Sequence, residues 1–112
     1  MVSTTQVKPG AYFYTSWGYD QTNIDFIVVV KVSPTGKTAQ CRRASKIDAG
    51  GGQGQDAIMA GTAYGEPFTM KVRDDGVLRG SYPYCEGGKR LDTFWPLKLG
   101  EVKHETNSYF GH

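Results

Sequence analysis

Long apolar runs are missing from this chain. The longest, Phe26-Ile27-Val28-Val29-Val30, has five residues, against the roughly 18 or more that a membrane-spanning helix needs. No membrane partner is expected. Histidine and cysteine are scarce, two of each. Neither CxxC nor HxxxH spacing occurs, and His104 and His112 stand apart, so neither a metal site nor a cofactor is expected. Cys41 and Cys85 fit a reduced compartment; a disulfide would need facing strands and an oxidising one. A strong charge imbalance is missing too. Thirteen Lys and Arg against eleven Asp and Glu leave a net +2, well short of the clustered charge of a dedicated nucleic-acid binder. Residues 1–6 lack the basic and apolar regions of a signal peptide, which makes a cytoplasm the expected compartment. No serine or cysteine stands in a nucleophile motif, so the chain is not read as an enzyme.

What is present is β-forming sequence. The chain has 112 residues, 38% of them hydrophobic and 12% aromatic, enough for one domain with a modest core. Pro9-Gly10 is a turn signal before an aromatic run, with Phe13, Thr15 and Trp17 on one face and Tyr12, Tyr14 and Ser16 on the other. Residues 24–32 are the strongest strand candidate. Ile24, Phe26, Val28, Val30 and Val32 form an unbroken apolar face, so Phe26, Val28 and Val30 are expected together in one core. Ser33-Pro34-Thr35-Gly36-Lys37 is a turn, and residues 38–44 return from it, which makes the first three strands a meander. Residues 45–66 carry the weakest signal, and the four glycines between Asp48 and Asp56 read as a flexible loop.

Past Pro67, Phe68, Met70 and Val72 alternate with Thr69, Lys71 and Arg73. Asp74-Asp75-Gly76 is a hairpin turn, Gly80 reads as a bulge or bend, and Gly87-Gly88 closes a further hairpin. No amphipathic helix is evident. The expected fold is all-β: a small SH3-like barrel or roll of five to seven short strands with long glycine-rich loops. It forms a single domain over residues 1–112, with 1–8 and 98–112 as flexible ends.

The stretch from Ser16 to Phe26 organises the rest. Tyr19, Asp20, Gln21, Thr22 and Asn23 offer more hydrogen-bonding groups than a minimal turn needs. With Tyr12, Tyr14 and Trp17 they form the candidate ligand site, the aromatics stacking on a planar ligand and the polar groups reading it. The alternative is that Asp20, Thr22 and Asn23 bond neighbouring backbone and hold the hairpin. The glycine loop lacks GxxxxGK[ST] but can close over a ligand held there. Lys37, Arg42, Arg43 and Lys46 make a local basic cluster, echoed by Lys71, Arg73, Lys89 and Arg90; interleaved with aromatics, Arg42, Arg43, Lys71 and Arg73 form a second candidate, a surface for single-stranded nucleic acid. A third reading pairs Asp20 with Asp25 as the carboxylates of a hydrolase or nuclease, although nothing marks them as acid and base.

Residues 12–26, with Val29-Val30-Lys31-Val32, Gly36-Lys37-Thr38 and Arg42-Arg43 after them, resemble a group of small bacteriophage and mobile-element proteins. Those proteins share a SWGYDQTN-DF signature followed by a valine-rich strand, a turn and a basic strand. The resemblance covers roughly the first 43 residues. It implies phage origin and action in a host bacterial cytoplasm, and it implies no reaction. The leading expectation is a phage-encoded, non-enzymatic binding module, such as a host-takeover or anti-defence protein, for a host protein or a small nucleotide-like ligand. The alternative is a single-stranded nucleic-acid-binding barrel.

Overall fold

The computed structural model describes residues 7–17, 23–52, 55–73, 75–85, 87–98 and 102–106. Seven strands run through them: β1 (Tyr12–Trp17), β2 (Asn23–Val32), β3 (Thr38–Gly52), β4 (Gln55–Val72), β5 (Leu78–Cys85), β6 (Gly88–Leu97) and β7 (Lys103–Thr106). Each of the first five pairs antiparallel with the next, and β6 pairs antiparallel with β1. With an even number of alternating strands, the last can close antiparallel on the first. The result is a closed six-stranded up-and-down barrel, with β7 added outside on β4. Closure removes the bare edges that a small open sheet would expose. Among the described residues no helix is long and apolar enough to cross a membrane.

Turn chemistry sets the hairpins. Gly36 and Gly76 hold φ of 73° and 83°, in the region that only glycine enters without strain. They sit late in the β2–β3 and β4–β5 turns, where Gly36 N–H donates to Ser33 and Gly76 N–H to Arg73. Strand alternation then fills the barrel. Phe13, Ile27, Cys41, Met70, Leu78 and Phe94 are each fully buried in its interior, and burying a large apolar side chain contributes about 1.5–3 kcal/mol. Val7, expected in a flexible end, is 8% exposed and packs into this interior. Gly80 is not a bulge. It stays in register opposite Asp92, and a Cβ there would lie 3.0 Å from Met70 Sδ, so its missing side chain makes room for Met70.

The β2 face assignment needs correcting. The barrel interior takes the Asp25, Ile27 and Val29 face. Ile24 and Phe26 point the other way, into a second core with Ala44, Ile58 and Leu97. Val28 is also buried, but Val30 is 45% exposed, because the β2–β3 register shifts between Val29 and Lys31 and leaves Val30 in a bulge.

The second core exists because the glycine-rich stretch is not a free loop. Residues 45–52 and 55–62 extend the β3–β4 hairpin beyond the barrel, paired as far as Gly52 and Gln55. Three register shifts bend this hairpin, and it lies back over the outer faces of β1, β2 and β6. Ile58 and Ala60 cover Phe26, and the Tyr12 hydroxyl donates to the Gly61 carbonyl at 2.9 Å. β7, from the tail expected to be flexible, pairs along Gln55 to Ile58. The expected docking of Tyr109 and Phe110 lies outside the described residues.

Candidate functional site

Trp17 ends β1 opposite Asn23, and Asp25 lies two residues into β2 opposite Thr15. Both Trp17 and Asp25 point to the barrel's inner side at the end where residues 18–22 connect the strands. The indole Nε1 donates to Asp25 Oδ2 at 2.7 Å, so the two ends of the organising stretch clasp one another. The carboxylate is only 4% exposed. Its Oδ2 also accepts from the Tyr82 hydroxyl at 2.6 Å. Its Oδ1 accepts from Arg43 at 3.0 Å, with Lys46 Nζ at 3.8 Å. Burial, followed by the bond to Asp25 and its charge, pushes the Tyr82 phenol well above its ordinary range, so Tyr82 acts as a donor here.

Arg43 does more than neutralise Asp25. Among the described residues the β4–β5 ladder has two registered pairs, Lys71 with Arg79 and Val72 with Leu78. Past Lys71 and Arg79 no further registered pair joins the two strands among the described residues. Arg43 reaches across that seam from β3 and donates to the Pro83 carbonyl on β5 at 2.7 Å. Its guanidinium sits 5.7 Å from the Tyr64 ring of β4 and 5.6 Å from the Tyr82 ring of β5, within cation–π range of both. A side chain thus closes the barrel where backbone pairing stops. Beside it, Arg90 lies 4.6 Å over Trp17, whose other neighbour is the edge-on ring of Tyr84. Thr15 Oγ1 and Arg43 Nε are buried without a hydrogen-bond partner.

This network decides where several sequence candidates stand. Asp25 accepts from or pairs with four donors, Trp17, Tyr82, Arg43 and Lys46, and is buried among them. Arg43, expected on a nucleic-acid surface, is 8% exposed and its charge is matched by Asp25. Trp17 is committed to Asp25. Asn23 is half-buried at the start of β2. Tyr19, Asp20, Gln21 and Thr22 lie outside the described residues. Tyr12 and Tyr14 lie on the outer face, away from Trp17; Tyr14 packs on Trp95 with ring centroids 6.3 Å apart. The expected aromatic cluster is therefore divided between the two faces of β1. Cys41 is a free thiol in the barrel interior, and burial pushes its pKa up to about 12. Among the described residues no three of His, Cys, Asp and Glu gather where they could hold a metal ion.

The other basic candidates meet elsewhere. Arg42 is on the outer face of β3 and bonds the Gly65 carbonyl. Lys71, on the outer face of β4, and Arg73, just past its end, line an open groove of about 610 Å³ together with Lys37 and Arg79. Lys37 is brought there by the bond from Val72 N–H to its carbonyl. Arg79 lies directly opposite Lys71. Like charges in directly opposed strand positions are destabilising, yet no ion pair involves any of these four cations among the described residues. The basic cluster expected from the sequence includes Lys37 and leaves out Arg79. The signal for Arg79 was available: pairing outward from the Asp74-Asp75-Gly76 turn sets Lys71 against Arg79. Comparison with protein-family models, with curated proteins and with solved structures finds no match to this chain.

Proposed function

We propose that the protein is a non-enzymatic binding module that holds a single-stranded nucleic acid by its phosphates along the groove of Lys37, Lys71, Arg73 and Arg79. The observation that carries this reading is the Lys71–Arg79 pair. Two cations face each other across the sheet, two more flank them, and the groove they line is open to solvent. Such a cluster raises the energy of the free protein, and an anion laid between the cations relieves it. Contact through phosphates alone is independent of sequence, which suits a groove without a set of base-reading amides. The resemblance of residues 12–26 to small bacteriophage proteins supports placing this activity in a bacterial cytoplasm. The mouth residues that carry that resemblance act, on this reading, as scaffold.

Fluorescence anisotropy with a labelled oligothymidylate, titrated over salt, tests the proposal. Each neutralised phosphate of a single strand contributes about −0.7 to the slope of log K against log salt. Three or four contacts predict a slope of about −2 to −3, and Arg79→Ala or Lys71→Ala should reduce it by about 0.7. A wild-type protein that binds no oligonucleotide even at low salt would overturn the reading.

A further inference from the structure

The groove does not end at its cations. Arg79 donates to Thr93 Oγ1 on the neighbouring strand, and Thr93 is its registered partner in β6. Two residues further along the same outer face stands Trp95, about 7 Å away at the rise of a β-strand. Its side chain is 44% exposed. Tyr14 holds one side of the indole. Lys103 Nζ lies 3.8 Å from the Tyr14 ring centre, which brings positive charge to the far side of the aromatic pair. Leu91, 58% exposed, borders the groove on the same strand face. The outer surface of β4, β5, β6 and β1 thus presents, in order, a cationic groove, a hydroxyl bonded to one of its cations, and an exposed indole backed by a tyrosine.

We infer that Trp95 is a base-stacking platform of this same surface, so that the strand bound at Lys71 and Arg79 crosses β6 and lays a base on the indole. The inference rests on the groove reading above and specifies the ligand further. Stacking needs an unpaired base, so the partner is a single strand and not a duplex. Charge fixes the phosphates in the groove while the aromatic face takes any base, the combination that gives tight binding with little sequence preference. The step from Arg79 to Trp95 is one that a single nucleotide of an extended strand spans.

Two probes separate the parts of the surface: a labelled oligothymidylate, which has phosphates and bases, and inorganic polyphosphate, which has phosphates alone. Trp95→Ala should weaken oligothymidylate binding about 5- to 150-fold, the range carried by one base–aromatic stack, and leave polyphosphate binding unchanged. Trp95→Phe should retain most of the oligonucleotide affinity. Oligothymidylate should quench tryptophan emission in the wild type, and the quenching should disappear in Trp95→Phe, where Trp17 is the remaining indole. Lys71→Ala should weaken both probes. Unchanged oligothymidylate binding by Trp95→Ala overturns the platform and leaves the groove standing. Equal loss of both probes overturns it as well, because it assigns Trp95 a structural role. If the wild type binds neither probe at low salt, the groove reading falls and the platform with it.

Discussion

Changing Asp25 to asparagine alters one atom of the side chain, and the structure makes that change severe. Oδ2 receives Trp17 Nε1 and the Tyr82 hydroxyl, while Oδ1 receives Arg43. An amide has one accepting oxygen, so whichever way the new side chain turns, its NH2 group faces donors. Turned toward Trp17, it opposes an indole N–H that cannot accept; turned toward Arg43, it opposes a guanidinium. In both orientations the Arg43 cation loses its buried counter-charge. Breaking a buried ion pair from one side costs about 3–5 kcal/mol, and an unsatisfied buried donor about 1–3 kcal/mol, not additively. A loss of roughly 3–5 kcal/mol is a large share of the roughly 5–15 kcal/mol typical of a domain. It corresponds to a fall in Tm of roughly 12–25 °C for a domain of this size. Urea unfolding measures the loss directly, as a lower midpoint at unchanged m. Arg43→Met in the same background should recover part of it, with a coupling of at least about 1 kcal/mol. An Asp25→Asn variant within about 1 kcal/mol of the wild type would refute the account of the barrel mouth.

Two further expectations come from the cores. Phe26→Ala should cost about 3–5 kcal/mol, because it empties the layer under the folded-back hairpin, whereas Val30→Ala, at a solvent-facing bulge, should change stability by less than about 0.5 kcal/mol. The Cys41 thiol is raised from 9.0 to about 12 by burial. The unfolded thiol ionises first as pH rises, so its contribution is complete below about pH 9 and is lost as pH climbs toward about 12. The urea midpoint should therefore fall more steeply above about pH 9 in the wild type than in Cys41→Ala, and in a Cys85→Ser background a thiol reagent should label native Cys41 no faster than the protein opens.

Much of the fold is legible in the chain, for identifiable reasons. The alternation of Phe68, Met70 and Val72 and the Asp74-Asp75-Gly76 and Gly87-Gly88 turns are local signals, and local signals survive folding. The burial of β2 on both faces is not local. It depends on residues 45–62 folding back as a paired hairpin, and their glycines suppress the strand propensity that would have announced it. Arg43 and Asp25 alternate as ordinary polar positions; that Arg43 reaches from β3 to the Pro83 carbonyl of β5, where the registered β4–β5 ladder has ended, is visible only in the fold. Within the stretch from Ser16 to Phe26, Trp17 and Asp25 clasp one another at a spacing of eight residues, a pairing that no local pattern announces. The groove was half visible, since Lys71 and Arg73 alternate on one strand while Lys37, Arg79 and Trp95 arrive from three other segments.

The claim that a cationic groove holds the ligand is tested most directly by Lys71→Glu, measured for stability and binding in one preparation. Reversing that charge replaces a like-charge cross-strand pair with an opposite one, worth about 0.2–1 kcal/mol. It also places a carboxylate where a phosphate is proposed to sit. The variant should unfold at slightly higher urea than the wild type and bind oligothymidylate at least about tenfold more weakly. A variant that binds as tightly as the wild type would contradict it.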